Sequence, residues 1–183
     1  MWFFLLWLAM LALVPVASAC GRGESADIEY YTDTALGYRL GYPRGWIRRD
    51  DPHEAWPAFY PPGYQDLQVS GNGIPEGEGE TGWLAVWVHP TELPPKSYLP
   101  NHCAVTSSTT VSIAGQQAEQ YRLLCAPPAA ALSTYQWRAI HTFLITDDRT
   151  LDFWARLPVS GPPADEVQAA YDHMLESVSL LNH

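Results

Sequence analysis

Cys103 and Cys125 are the residues whose type and spacing best define a chemistry in this chain. Residues 109–113 and 117–123 read as strands around the turn Ala114-Gly115. A hairpin centred there pairs residues whose numbers add to about 228 or 229. Cys103 and Cys125 add to 228 (103 + 125), so they face each other near its open end. Cross-strand neighbours have Cβ separations that a disulfide can span. Closing a loop of this size contributes roughly 3 kcal/mol. A metal or nucleophilic thiol would need companions, and His102 beside Cys103 belongs to no C-x-x-C or other ligand cluster. His53, His89, His102, His141, His173 and His183 are scattered, without the H-x-x-H or H-E-x-x-H spacing of a zinc site. His141 alternates with Ala139 and Phe143 and reads as a buried or half-buried sheet histidine. Ser133, Ser160 and Ser177 lie in no G-x-S-x-G elbow. The acidic run 76–80 lacks the Asp/Asn spacing of a calcium loop, and Asp147-Asp148 reads as a turn. No catalytic residue, metal site or cofactor is expected. An enzyme would need two or more of His53, His102, Glu54 and Asp66 to converge in a cleft.

The third thiol, Cys20, follows the apolar run 2–16 and the small residues Ala17-Ser18-Ala19, and residues 1–19 carry no charged side chain. This arrangement resembles the signal peptide of a bacterial lipoprotein, in which the cysteine becomes the first mature residue and carries lipid. Pro15 suits the end of such a core better than the middle of a spanning helix. Ordinary cleavage between Ala19 and Cys20 and an uncleaved anchor helix are the alternatives. The favoured division is a signal peptide over 1–19, a Gly-, Ser- and charge-rich tether over 20–27, and one domain over 28–183. It implies an extracytoplasmic protein of the cell envelope, anchored to a bacterial membrane by palmitate-type lipid at Cys20. Two or three acyl chains would hold it stably. With Cys20 acylated, an even pair of cysteines remains in an oxidising compartment, where a disulfide is the default.

The formal charge of −10 argues against nucleic acid and against docking on anionic lipid. Segments 28–32, 36–42, 46–49, 55–60, 83–89, 134–145 and 150–156 read as strands. The strand at 83–89 is apolar on both faces, as a central strand covered on both sides would be. Proline breaks residues 91–101 to about one helical turn. Pro162-Pro163 introduces a helix over 164–176 with one apolar stripe: Val167, Ala170, Tyr171, Met174 and Leu175. Residues 178–181 form a short closing strand or extend the helix. Mostly hairpin-linked strands with one helix indicate an α+β domain, an antiparallel β-sheet with packed helix. Of the tryptophans beyond the leader, Trp46, Trp83, Trp87, Trp137 and Trp154 read mainly as core. Trp56, in a loop-like setting, is the candidate surface platform for a ligand or partner.

The stretch Tyr30-Tyr31-Thr32, then Leu36-Gly37-Tyr38-Arg39-Leu40-Gly41-Tyr42-Pro43-Arg44-Gly45-Trp46, resembles the opening of PsbP-like domains. Val111 to Gly115 before a hairpin and Tyr171 to Val178 near the end are similar in outline. The resemblance implies a PsbP-like α/β/α sandwich around an antiparallel sheet. The metal and binding residues of PsbP, an extrinsic subunit of photosystem II, have no motif match here, so none is carried over. The function expected is a non-catalytic binding or assembly module with an envelope protein partner. The alternative is a carrier of a lipid or carbohydrate ligand through aromatic residues, and a hydrolytic enzyme is the least supported reading.

Overall fold

The computed structural model describes residues 27–50, 57–62, 82–126 and 136–181. They form two antiparallel sheets. Strands β1 (Ile28–Asp33), β2 (Tyr38–Pro43) and β10 (Ser179–Leu180) make a small sheet in the order β1-β2-β10. Seven strands make the large one: β3 (Ile47–Asp50), β4 (Pro57–Tyr60), β5 (Trp83–His89), β6 (Cys103–Ile113), β7 (Gln116–Cys125), β8 (Trp137–Ile145) and β9 (Thr150–Pro158). Their order is β3-β4-β5-β9-β8-β7-β6.

Local chemistry accounts for most of the connections. Ala114 and Gly115 both have positive φ, 49° and 78°, as a two-residue turn matched to strand twist requires. That turn sets the β6–β7 register, and Cys103 falls directly opposite Cys125. Partner numbers sum to 228 (103 + 125) near the open end and to 229 (113 + 116) near the turn, the change falling at an irregularity between Val105 and Ser107. Helix α1 (Pro162–Ser177) starts with two prolines after Gly161, as anticipated, and has Asp165 in its first turn. The closing segment is strand β10, so the helix stops at Ser177.

Alternation along the strands divides the large sheet into two faces. One carries Phe59, Leu84, Val86, Ile140, Leu144, Leu151, Phe153, Ala155 and Leu157. These pack with Val167, Ala170, Tyr171, Met174 and Leu175 of α1 and with Tyr38, Leu40 and Tyr42 of β2 into the main core. The helix approaches closely at Gly82, where a Cβ would lie 2.6 Å from the Arg156 carbonyl oxygen and 2.8 Å from a Val167 methyl. Polar groups also seat it. The Tyr171 hydroxyl donates to the Phe153 carbonyl at 2.9 Å and lies 2.6 Å from Thr142 Oγ1, which accepts from Gln120 Nε2 at 3.1 Å. At the helix end Ser177 Oγ accepts the Gly41 N–H at 2.6 Å.

The opposite face lies away from α1. Among the described residues it carries the segment 90–102, with a 3-10 turn at Pro95–Tyr98 and no second α-helix. Pro94, Pro95 and Pro100 limit that segment to the one helical turn anticipated. The architecture is an α+β domain of antiparallel sheets with one packed helix.

Two predictions follow from these contacts. Replacing both Cys103 and Cys125 with alanine should lower unfolding free energy by about 3 kcal/mol in denaturant titrations, through release of the unfolded chain. An unchanged midpoint would refute this. Burial, above all, holds the Tyr171 phenol well above its ordinary value, against the Thr142 hydrogen bond and with help from the Asp152 charge. A phenol raised in the folded state stabilises fully below its unfolded value of about 10 and progressively less above it. Stability should therefore fall as pH rises past about 10, and fall less steeply in Tyr171→Phe, which should cost about 1–3 kcal/mol at neutral pH. Parallel pH profiles for the two chains would contradict the assignment.

Candidate functional site

The face of the large sheet away from α1 gathers aromatic and ionisable side chains. Trp83, Trp87 and His89 come from β5, Asp152, Trp154 and Arg156 from β9, and Trp137, His141 and Phe143 from β8. Period-two alternation puts them on one surface, and the β5-β9-β8 order makes them neighbours. Trp83 and Trp87 flank Trp154, with ring centres 4.2 and 4.5 Å from it. His141 lies parallel to Trp154 at 5.5 Å, and the Arg156 guanidinium sits 4.5 Å above the Trp137 ring. The four tryptophans are half-buried. Across from them Tyr98, on the 3-10 turn, stacks on His89 with ring centres 4.1 Å apart.

Asp152 lies at the centre and is fully buried. Its Oδ2 is 2.8 Å from Nδ1 of the equally buried His141 and 3.6 Å from Nε2 of His89. Facing a carboxylate, which only accepts, the His141 Nδ1 carries the proton; in the neutral ring Nε2 is then a lone pair. A carboxylate that fixes an imidazole tautomer is a recurring catalytic part. Here His141 Nε2, Asp152 Oδ1 and Trp154 Nε1 are buried and have no hydrogen-bond partner among the described residues. The ring is fully buried, with Trp87, Phe143 and Trp154 around it, so its second nitrogen is closed to solvent where a base would meet a substrate. The cluster ties the side chains of β5, β8 and β9 together beneath the tryptophans. Among the described residues no group of three or more His, Cys, Asp or Glu is poised to hold a metal; the imidazole nitrogen bonds the carboxylate itself.

Two hollows lie elsewhere. One, about 240 Å³, is on the α1 side beside the helix, lined by Arg122, Leu124, Arg138, Ile140, Leu157 and Gln168 among others. The other, about 440 Å³, opens between the β8–β9 turn and the small sheet, with Asp147, Asp148 and Arg149 on its rim. Asp148 pairs with Arg149, and that hydrogen bond foremost lowers its carboxyl to about 2. This supports the reading of Asp147-Asp148 as a turn. Away from both, Tyr121 donates to Glu119 Oε2 at 2.6 Å, which above all raises its phenol to about 12.

Among the sequence-derived residues, Cys103 and Cys125 form a disulfide with Cα atoms 4.1 Å apart. Trp46 joins the main core, and the other four described tryptophans gather on the opposite face. Cys20, Trp56, His53, Glu54 and Asp66 lie outside the described residues. His102 is exposed, near Trp137. The reading of His141 as a sheet histidine agrees with its position, but its link to Asp152 and His89 was missed. The β8–β9 hairpin alone puts His141 diagonal to Asp152, and that signal was available.

Among the described residues the antiparallel sheets and the packed helix make an α+β domain. No protein-family model matches the chain, and no curated protein matches it. Several solved structures share the fold. The solution structure of cyanobacterial PsbP (CyanoP) from Synechocystis sp. PCC 6803 superposes with a TM-score of 0.53 at 14% identity, covering 90% of this chain and 98% of that one. A crystal structure from Bacteroides thetaiotaomicron VPI-5482 gives a TM-score of 0.55 at 10% identity over 85% of this chain. The chain spans about half the length of that protein, 49%.

Asp152→Ala should leave His141 without its buried acceptor and lower stability by about 1–3 kcal/mol. Asp152→Asn, which keeps a carbonyl acceptor, should lose distinctly less. Equal losses for both variants in denaturant titrations would show that packing, not the hydrogen bond, holds the cluster.

Proposed function

We propose that this chain is an exported lipoprotein, held by lipid at Cys20 on the extracytoplasmic side of a bacterial membrane, and that its domain is a non-catalytic binding or assembly module. The observation that carries the reading is the Cys103–Cys125 disulfide. Such bonds form and persist in oxidising compartments, where an exported domain resides. The likeness to CyanoP supports the fold of such a module, and the enclosure of His141 by Trp87, Phe143 and Trp154 disfavours a hydrolytic role for that cluster. Partners of this kind would be other envelope proteins. A carrier of a lipid or carbohydrate is the second reading. It draws on the half-buried tryptophans, although neither hollow described above has a tryptophan in its wall.

Labelling of growing cells with a tagged fatty acid is expected to mark the wild-type chain and not Cys20→Ala. The same cells should yield the wild type in the membrane fraction, accessible to protease added outside the cytoplasm. Label that persists in Cys20→Ala would reject the anchor. Affinity purification from detergent-solubilised membranes should recover an envelope protein with the wild type.

A further inference from the structure

Most described arginines are engaged by an acid or a ring. Arg44 pairs with Asp27 and Arg149 with Asp148. Arg39, Arg48, Arg49 and Arg156 lie over the rings of Tyr30, Tyr31, Tyr60 and Trp137. Arg122 and Arg138 differ. Arg122 Nη1 donates to Gln168 Oε1 at 3.1 Å and Arg138 Nε to the Pro158 carbonyl at 3.2 Å, both neutral oxygens. Neither has a carboxylate partner among the described residues. Both line the hollow of about 240 Å³ beside α1. Register places them there: Arg122 lies opposite Ile140, and Arg138 lies between Leu124 of β7 and Leu157 of β9. The two arginines are thus diagonal neighbours on one face, roughly 7–8 Å apart. Leu124, Ile140 and Leu157 supply the apolar wall, and no Asp or Glu among the described residues lines the hollow. Asp172 accepts from the Gln168 amide at 2.9 Å but is not part of that wall.

We propose that this hollow binds a small amphipathic anion, its charged head held by Arg122 and Arg138 and its apolar body laid on Leu124, Ile140 and Leu157. Each part of the site selects one part of the ligand. A guanidinium carries five N–H donors in a rigid fork. Each of these two has given one to the protein, and the remainder match the paired oxygens of a carboxylate or a phosphate ester. Like charges at diagonal positions repel, and an anion between them offsets that repulsion. Arg138 is half-buried, so water compensates its charge only in part. The leucines and isoleucine add affinity only for a ligand with an apolar body, which sets aside inorganic anions. Size bounds that body: about 240 Å³ admits roughly eight groups of about 30 Å³ each, a chain of about six carbons with its carboxylate. On a chain of net charge −10, an anion is held only where basic groups stand unopposed, as they do here. The site is independent of the anchor at Cys20.

The test is a titration of the full-length chain, kept in non-ionic detergent and phosphate-free buffer, with hexanoate. The NMR signals of the Leu124, Ile140 and Leu157 methyl groups report on the hollow itself. They should shift with a dissociation constant of about 1 mM, as a ligand of this size can supply. Hexanol, which lacks the charge, and acetate, which lacks the body, should each bind at least about tenfold more weakly. Hexyl phosphate in place of hexanoate distinguishes the two head groups: the tighter binder names the source of the anion. Arg122→Gln and Arg138→Gln should each weaken binding roughly tenfold, and Arg138→Lys, which keeps charge but loses the fork, by less. Unmoved methyl signals elsewhere in the main core show that the variants are folded. Absence of methyl shifts with both hexanoate and hexyl phosphate at about ten times the expected constant overturns the proposal. So does hexanol binding as well as hexanoate, or undiminished binding by both glutamine variants.

Discussion

The hydroxyl of Tyr171 is the point on which the arrangement of layers depends. It reaches from α1 into the large sheet, donates to the backbone of β9 and meets Thr142 of β8, which in turn accepts from Gln120 of β7. A buried polar group tolerates few geometries, because any shift leaves it unpaired where no water compensates. Apolar contact alone would let the helix slide over Leu84, Val86 and Phe153. The hydroxyl chain selects one seat, and Gly82 leaves room for it. With the helix so placed, Ser177 meets Gly41 and the small sheet follows.

The other face obeys a different rule. Its centre is polar and its surroundings aromatic: Asp152 Oδ2 pairs with His141 Nδ1, while Asp152 Oδ1 and His141 Nε2 are buried without a hydrogen-bond partner among the described residues. A buried ionisable pair is a poor source of stability compared with apolar packing. Its clearest structural consequence here is alignment: side chains from three strands converge on one carboxylate oxygen. The resulting surface carries four half-buried tryptophans.

Much of this was legible from local chemistry. The β6–β7 and β8–β9 hairpins followed from their turns, the helix from its prolines and apolar stripe, and the central position of β5 from being apolar on both faces. The disulfide followed from register. What escaped was the adjacency of distant segments. Nothing in residues 83–89 says that β9 lies beside them, so His89 could not be matched to Asp152. Asp152 itself read only as part of the strand 150–156. The tryptophans escaped for a related reason: each segment looked like core, and only the strand order reveals that Trp46 belongs to one side of the sheet and Trp83, Trp87, Trp137 and Trp154 to the other.

The small sheet is assembled from both ends of the domain. β2 is flanked by β1 on one side and β10 on the other; Gly41 meets Ser177 across 136 residues, and Leu181 donates its N–H to the Gly37 carbonyl. The β1–β2 hairpin can form as soon as it is synthesised, but its partner strand comes only after nearly everything else. Closing so long a loop is entropically costly and slow compared with hairpin formation. Because β2 supplies Tyr38, Leu40 and Tyr42 to the main core, that core is complete only once the two ends of the domain have met.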